Sequence, residues 1–150
     1  MRQKIDNLSL DDSLGFLLYR SHIQISAALR QAFQDAGYDL TPEQWAVLLR
    51  LREQEGLNQS KLGEKTYKDR HNITRILKQL DKRGYIEKRH IENDKRAFHI
   101  YLSPAGRNLL KELKPVVLKH RKRLCGGFSK DDLLKISDYL SHIVNNLRHS

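Results

Sequence analysis

The sequence predicts a mainly α-helical protein with one small β-hairpin, in the order α-α-α-α-β-β-α-α. Three observations carry that expectation. Apolar residues recur at three- and four-residue steps through six separate stretches, the spacing of a helix face turned toward a core. Five of those stretches open on a capping residue: Thr41, Asn58, Asp69, Ser103 and Ser129. Only residues 97–102 alternate with a period of two, Phe98, Ile100 and Leu102 against Ala97, His99 and Tyr101, as a half-buried strand does.

The first helix is expected from Leu8 to about Ala36, with Leu14, Leu17, Leu18, Ile25, Leu29 and Phe33 on one face and Gly37 as its stop. At residues 39–45, Asp-Leu-Thr-Pro-Glu-Gln-Trp, Thr41 is an N-cap and Pro42 suits the first helical position. Gln44 completes a capping box. That second helix carries Trp45, Val47, Leu48 and Leu51 and ends before Gly56. Asn58 starts a short third helix, and Asp69 caps a fourth that runs to Arg83 and stops at Gly84. The strand-like run Tyr85–Ile91 follows, with Asn93 and Asp94 as turn formers before the second strand. Ser103-Pro104 launches a fifth helix to about Leu124, and Gly126-Gly127 breaks the chain. Ser129, with Asp132 three residues on, begins a last helix striped by Leu133, Ile136, Leu140, Ile143 and Leu147.

A chain of 150 residues is one domain's worth and can bury a core unaided by disulfides; its single cysteine, Cys125, permits no internal one. No Cys/His zinc spacing occurs, and the seven histidines show no i, i+4 helical pair, so no metal is expected. There is no Gly-rich phosphate loop and no nucleophile elbow. No cofactor and no enzymatic activity are therefore expected. Residues 1–13 hold no apolar signal core, and no run nears the ~18 apolar residues of a membrane span. A cytoplasmic protein without membrane association is the expectation.

Lys and Arg number 28 against 18 Asp and Glu, a formal net charge of +10, with a pI near 9.8. Such an excess favours a polyanionic partner, nucleic acid before anionic membrane. It is concentrated: residues 61–96 hold twelve Lys and Arg against six Asp and Glu.

That concentration falls inside residues 40–103, whose element order is the layout of a winged helix-turn-helix. The flanking helices, 8–37 and 104–148, have more apolar surface than so small a unit can cover. Pairing with a second copy would bury it. On a helical wheel Ile73, Ile76, Leu77 and Leu80 of the fourth helix cluster on one face. His71, Arg75, Lys78 and Lys82 lie within about 40° of the opposite pole. Asn72 and Thr74 occupy the flanks. Asn reads adenine and Arg reads guanine through bidentate contacts, and Thr offers a hydroxyl and a methyl. They sit near the helix N-terminus, the end a recognition helix turns to base edges. Two strands directly after such a helix form a wing. At its tip Arg96 is the candidate for a narrow minor groove, where negative potential is concentrated. Asp94 is placed to hold its guanidinium by a charge-assisted hydrogen bond.

Residues 94–107, Asp-Lys-Arg-Ala-Phe-His-Ile-Tyr-Leu-Ser-Pro-Ala-Gly-Arg, resemble the wing signature of the MarR family of bacterial regulators, Asp-x-Arg followed by Leu-Ser/Thr-x-x-Gly. Residues 70–89 are similar to that family's recognition helix and its exit into the wing. The resemblance spans nearly the whole chain. It implies a homodimeric regulator of double-stranded DNA, most often a repressor on a palindromic operator, with the terminal helices as dimer interface. Base contacts would fall to His71, Asn72, Thr74 and Arg75, with Arg70 and Lys78 on the same helix, and Arg96 would enter the minor groove. Ser60 and Lys61 would lie against phosphate. Tyr67 stands where many members carry a small turn residue, and His71 departs from the usual small or polar residue; both leave the target sequence open.

The resemblance also implies a small-molecule effector pocket between the first helix and the winged unit, for which Tyr19, His22 and Trp45 are the candidates. Family members that sense oxidants use a cysteine near the start of the first helix; none stands there, and Cys125 is far along the chain. A second reading remains open: a winged-helix module that binds RNA or a protein partner through its basic face.

Overall fold

A computed structural model describes residues 9–148, with the side chains of residues 94–96 outside the description. The described elements follow the expected order. They are α1 (Leu14–Asp35), α2 (Pro42–Glu53), α3 (Gln59–Lys65), α4 (Arg70–Lys82), β1 (Ile86–Ile91), β2 (Asp94–Leu102), α5 (Pro104–Leu124) and α6 (Lys130–Arg148).

Local chemistry fixes the helix starts. The Thr41 hydroxyl accepts from the Gln44 amide at 3.1 Å while the Gln44 side chain accepts from the Thr41 amide at 3.1 Å. Asn58 accepts from the Lys61 amide and Asp69 from the Asn72 amide, each at 2.8 Å. At α6 the Asp132 carboxylate accepts from both the amide and the hydroxyl of Ser129. Those two donors hold its carboxyl below the usual carboxylate range. Only the first helix starts elsewhere than expected. Residues 10–12 form a turn, in which the Ser13 amide donates to the Leu10 carbonyl at 3.1 Å, and α1 begins at Leu14. Leu8 lies outside the described residues.

Phe33 of α1, Leu48 and Leu51 of α2, Ile73 and Leu80 of α4, and Leu113 of α5 are all fully buried in one core. The fourth helix is the clearest case: Ile73, Ile76, Leu77 and Leu80 are its buried residues, as its wheel requires. Beneath it the hairpin pairs Ile86 with Leu102 and Lys88 with Ile100, antiparallel. A short segment at Leu57 bridges to Ile100 on the other edge of β2: the Gly56 amide donates to the Ile100 carbonyl and the Ile100 amide to the Leu57 carbonyl. Gly56 has φ +76°, and a Cβ there would come within 2.9 Å of the Tyr101 hydroxyl. Glycine is the residue that suits this junction. The start of α5 is locked onto the hairpin more tightly still, since a Cβ on Gly106 would fall 2.1 Å from the Tyr85 carbonyl oxygen.

The turn of the hairpin closes one residue earlier than expected. Its residues are Glu92 and Asn93, and Asn93 takes the left-handed conformation (φ 75°) that Asn tolerates well. Asp94 therefore opens β2 instead of turning the chain. The register slips just beyond: His90 pairs with Phe98 but Ile91 with Asp94, an irregularity in the ladder. Phe98 continues the inward alternation but is 36% exposed, having outrun the core; its ring meets His90 at 4.7 Å.

α6 buries no residue of its own. Leu134, Tyr139 and Leu147 are more than half exposed, and Ile136 and Leu140 about two-fifths. Among the described residues no helix is long and apolar enough to cross a membrane.

Candidate nucleic-acid interface

Two short helices and the hairpin make one continuous face. Asp69, the cap of α4, also accepts from the Asn72 side-chain amide at 3.0 Å, which fixes that amide at the head of the helix. One turn on, the Thr74 hydroxyl donates to the Arg70 carbonyl and accepts from Gln59 Nε2, both at 2.6 Å. Its hydroxyl is thereby engaged, and the methyl is what Thr74 has left to offer a thymine. His71, Arg75 and Lys78 are exposed along the outer face of α4, as are Ser60 and Lys61 at the start of α3. The Lys61 ammonium rests 3.3 Å from Glu64, a pair exposed enough to yield to a phosphate.

Between α3, the head of α4 and the hairpin runs a groove of about 730 Å³. Lys68, Arg70 and Lys88 bring cations to it, Ser60 and Gln59 bring polar groups, and Phe98 and Ile100 form its apolar floor. The hairpin is braced on both of its faces, since Lys88 and Arg89 are adjacent strand residues. Arg89 stacks 4.0 Å from the centre of the Tyr101 ring, and Lys88 lies 3.8 Å from Asp81 of α4. The structure thus brings Ser60, Arg70 and the wing residue Lys88 to one groove, with Asn72 and Thr74 beside it. The assignment of Asp94 and Arg96 concerns side chains outside those described; their backbone lies at the outer end of β2.

Two participants, Glu43 and Gln59, escaped the sequence reading, and two more, Lys68 and Lys88, entered it only as part of the charge excess. Gln59 is the first residue of α3, yet its partner Thr74 is fifteen residues away. Glu43 lies 3.4 Å from Lys68 and 3.5 Å from Arg75. Such contacts depend on how helices cross, which periodicity within one helix does not contain.

The three residues named for an effector pocket lie apart in the single chain. Trp45 is 8% exposed and packs on Phe33 with ring centres 5.7 Å apart, in the core. Tyr19 and His22 are exposed on α1. Tyr19 precedes Phe33 by fourteen residues, about 21 Å along a helix. A cleft of about 640 Å³ opens between α1 and α5, lined by Gln24, Gln31 and Asp35 facing Lys119, His120 and Arg123. His120 Nε2 is enclosed there with no hydrogen-bond partner among the described residues. Desolvation, then the nearby Arg123 charge, holds the imidazole pKa below its usual value. Among the described residues no group of three or more His, Cys, Asp or Glu is placed to hold a metal ion.

Comparison with known proteins decides the family. Residues 40–98 match the MarR family model. The transcriptional regulator SarZ of Staphylococcus aureus (strain MRSA252) is 31% identical over 145 residues, covering 97% of this chain and 90% of SarZ. This chain belongs to the MarR family. It is a winged-helix transcriptional regulator, as its wing motif implied. A solved structure of a probable transcriptional regulator from Pseudomonas aeruginosa superposes with a TM-score of 0.81 at 30% identity, covering 90% of this chain and 99% of that one. The repressor CouR, solved bound to a 23-mer DNA duplex, has a TM-score of 0.81 at 26% identity, covering 93% and 99%.

Proposed function

We propose that this MarR-family chain is a homodimeric repressor that binds a palindromic operator and leaves it when a small molecule binds. Residues 40–103 are its DNA-binding unit, and 8–37 with 104–148 its dimerisation helices. The observation that carries the reading is the outer face of α4. His71, Arg75 and Lys78 are exposed on the side opposite a fully buried apolar face, with Asn72 and Thr74 oriented at the N-terminal end. CouR, of the same fold and 26% identical, is held on a duplex, which supports DNA as the partner. Base contacts come from His71, Asn72, Thr74 and Arg75 in the major groove, while Ser60, Lys61, Arg70 and Lys78 position the protein on phosphates.

The division between positioning and reading is testable by salt titration. Lys61→Ala should weaken all duplexes alike and flatten the slope of log K against log salt, because each lost phosphate contact releases fewer counterions. Asn72→Ala and Arg75→Ala should instead cost about 1–3 kcal/mol at particular base pairs and spare the others. If both kinds of variant lose affinity uniformly, the division is wrong. Equal wild-type affinity for a palindrome, random duplex and structured RNA would favour the RNA- or protein-binding module instead.

For the effector, the α1–α5 cleft is a candidate site beside Tyr19, His22 and Trp45. Its volume is within the range of small-molecule sites, Lys119 and Arg123 suit an anionic group, and His120 Nε2 is a polar atom there without a hydrogen-bond partner among the described residues. Both walls are dimerisation helices, so a ligand favouring one packing of them alters the spacing of the two recognition helices. Small aromatic carboxylates should raise the melting temperature of the wild-type protein but not of His120→Leu. Equal shifts in both would place the effector elsewhere.

A further inference from the structure

Arg75 does not extend freely from α4. Its Nη2 lies 3.5 Å from one carboxylate oxygen of Glu43, while the other oxygen lies 3.4 Å from the Lys68 ammonium. One acidic side chain in the first turn of α2 thus holds both the middle of α4 and the connector that precedes it. The backbone under this contact is itself registered. The Gln44 side chain donates to Gln79 of α4 at 3.0 Å, a contact that ties the turn carrying Glu43 to the helix carrying Arg75.

Stability does not account for the arrangement. The Glu43 and Arg75 side chains are each 49% exposed, and ion pairs that wet contribute little to folding. Affinity does not account for it either, since a carboxylate on a surface that meets phosphates opposes binding. What the pair changes is direction. A guanidinium biased toward one direction by a carboxylate 3.5 Å away loses less freedom when it makes a bidentate contact to a base. A duplex lacking the right acceptor must break the pair without replacing it, and that is how a binding site rejects wrong partners.

We propose that Glu43 is a specificity-determining positioning residue, which aims Arg75 at its base and weakens binding to duplexes that lack it. The proposal rests on the reading of α4 as the base-contacting helix. It also gives Lys68 a role, as the second cation that keeps the carboxylate from following Arg75 onto the DNA.

The test uses the full chain. Wild-type protein selects its preferred duplex from a pool of random-sequence duplexes. That duplex and a scrambled version are then titrated with wild type, Glu43→Gln, Arg75→Ala and the double variant. Glu43→Gln is expected to bind the scrambled duplex more tightly. Its preferred-to-scrambled ratio should fall about five- to tenfold, the scale of one weakened base contact. In the Arg75→Ala background the same change should leave the ratio where Arg75→Ala alone put it. Tighter binding of both duplexes by the same factor would reduce Glu43 to bulk charge and overturn the proposal. So would an equal fall in the ratio with and without Arg75. A wild-type chain that enriches no sequence would overturn the base-reading assignment itself and the proposal with it, which separates the two failures. Glu43→Ala, with the same expectations, guards against a local misfolding of the Gln variant, and the melting temperature of each variant checks the fold.

Discussion

Leu140→Glu combined with Ile143→Glu should leave a chain that no longer pairs and no longer binds a palindrome. α6 is nineteen residues long and has no buried residue, although Leu133, Leu134, Ile136, Leu140, Ile143, Val144 and Leu147 give it a broad apolar side. Covering a Leu or Ile contributes roughly 1.5–3 kcal/mol, and a twofold interface counts each residue twice. Leu140 still exposes 41% of its surface and Ile143 is half-buried, so these two positions on each of two chains represent roughly 2–5 kcal/mol of further gross burial. Two glutamates in their place add four carboxylates to a surface that must lose its water, which costs more still. Sedimentation equilibrium is the measurement, with circular dichroism to separate a folded monomer from an unfolded chain. Wild-type protein sedimenting as a single chain at micromolar concentration would refute the homodimer. The symmetric operator would fall with it, because half-site spacing follows from the twofold axis.

The same helix shows what a sequence can and cannot convey. Its start was legible in Ser129 and Asp132, and its stripe in a simple 3-4-3-4 spacing, because both are properties of one helix. The caps Thr41, Asn58, Asp69 and Ser103 were legible for the same reason: each accepts from an amide three residues on. The wheel of α4 separated its buried from its exposed residues without error. What was not legible involves pairs far apart in sequence. The Leu57–Ile100 bridge, the Gln59–Thr74 hydrogen bond and the Glu43–Arg75 pair all depend on how elements cross. Trp45 shows the opposite difficulty. An aromatic ring with a polar N–H suits a ligand pocket in composition, but Phe33 one helix away had already claimed it for the core. The hairpin lies between these cases. The second strand was visible from its period of two and the first from its β-prone composition, yet the turn moved to Glu92 and Asn93, where Asn93 takes the left-handed conformation.

The second large effect concerns that hairpin. Arg96→Ala should weaken operator binding by about 1–3 kcal/mol for each wing, the range of a good groove contact. With two wings per palindrome the total would reach about 2–6 kcal/mol, enough to remove measurable repression. The wing motif motivates the expectation, and so does the backbone around it. The register shifts between His90 and Ile91, so the pairing is irregular at the outer end of the hairpin that carries Arg96. Behind that end the hairpin is anchored by the Leu57–Ile100 bridge and by α5 closing on Tyr85 at Gly106. The tip is therefore carried by a rigid stem, and the loss on truncation should appear in binding and not in folding. Asp94→Ala should cost less than Arg96→Ala, since its proposed part is to orient the guanidinium. Once Arg96 is gone, Asp94→Ala should cost almost nothing further, a coupling that a double-mutant cycle reads directly. Full affinity in Arg96→Ala, with the melting temperature unchanged, would remove the wing from the mechanism and leave recognition to α4 alone.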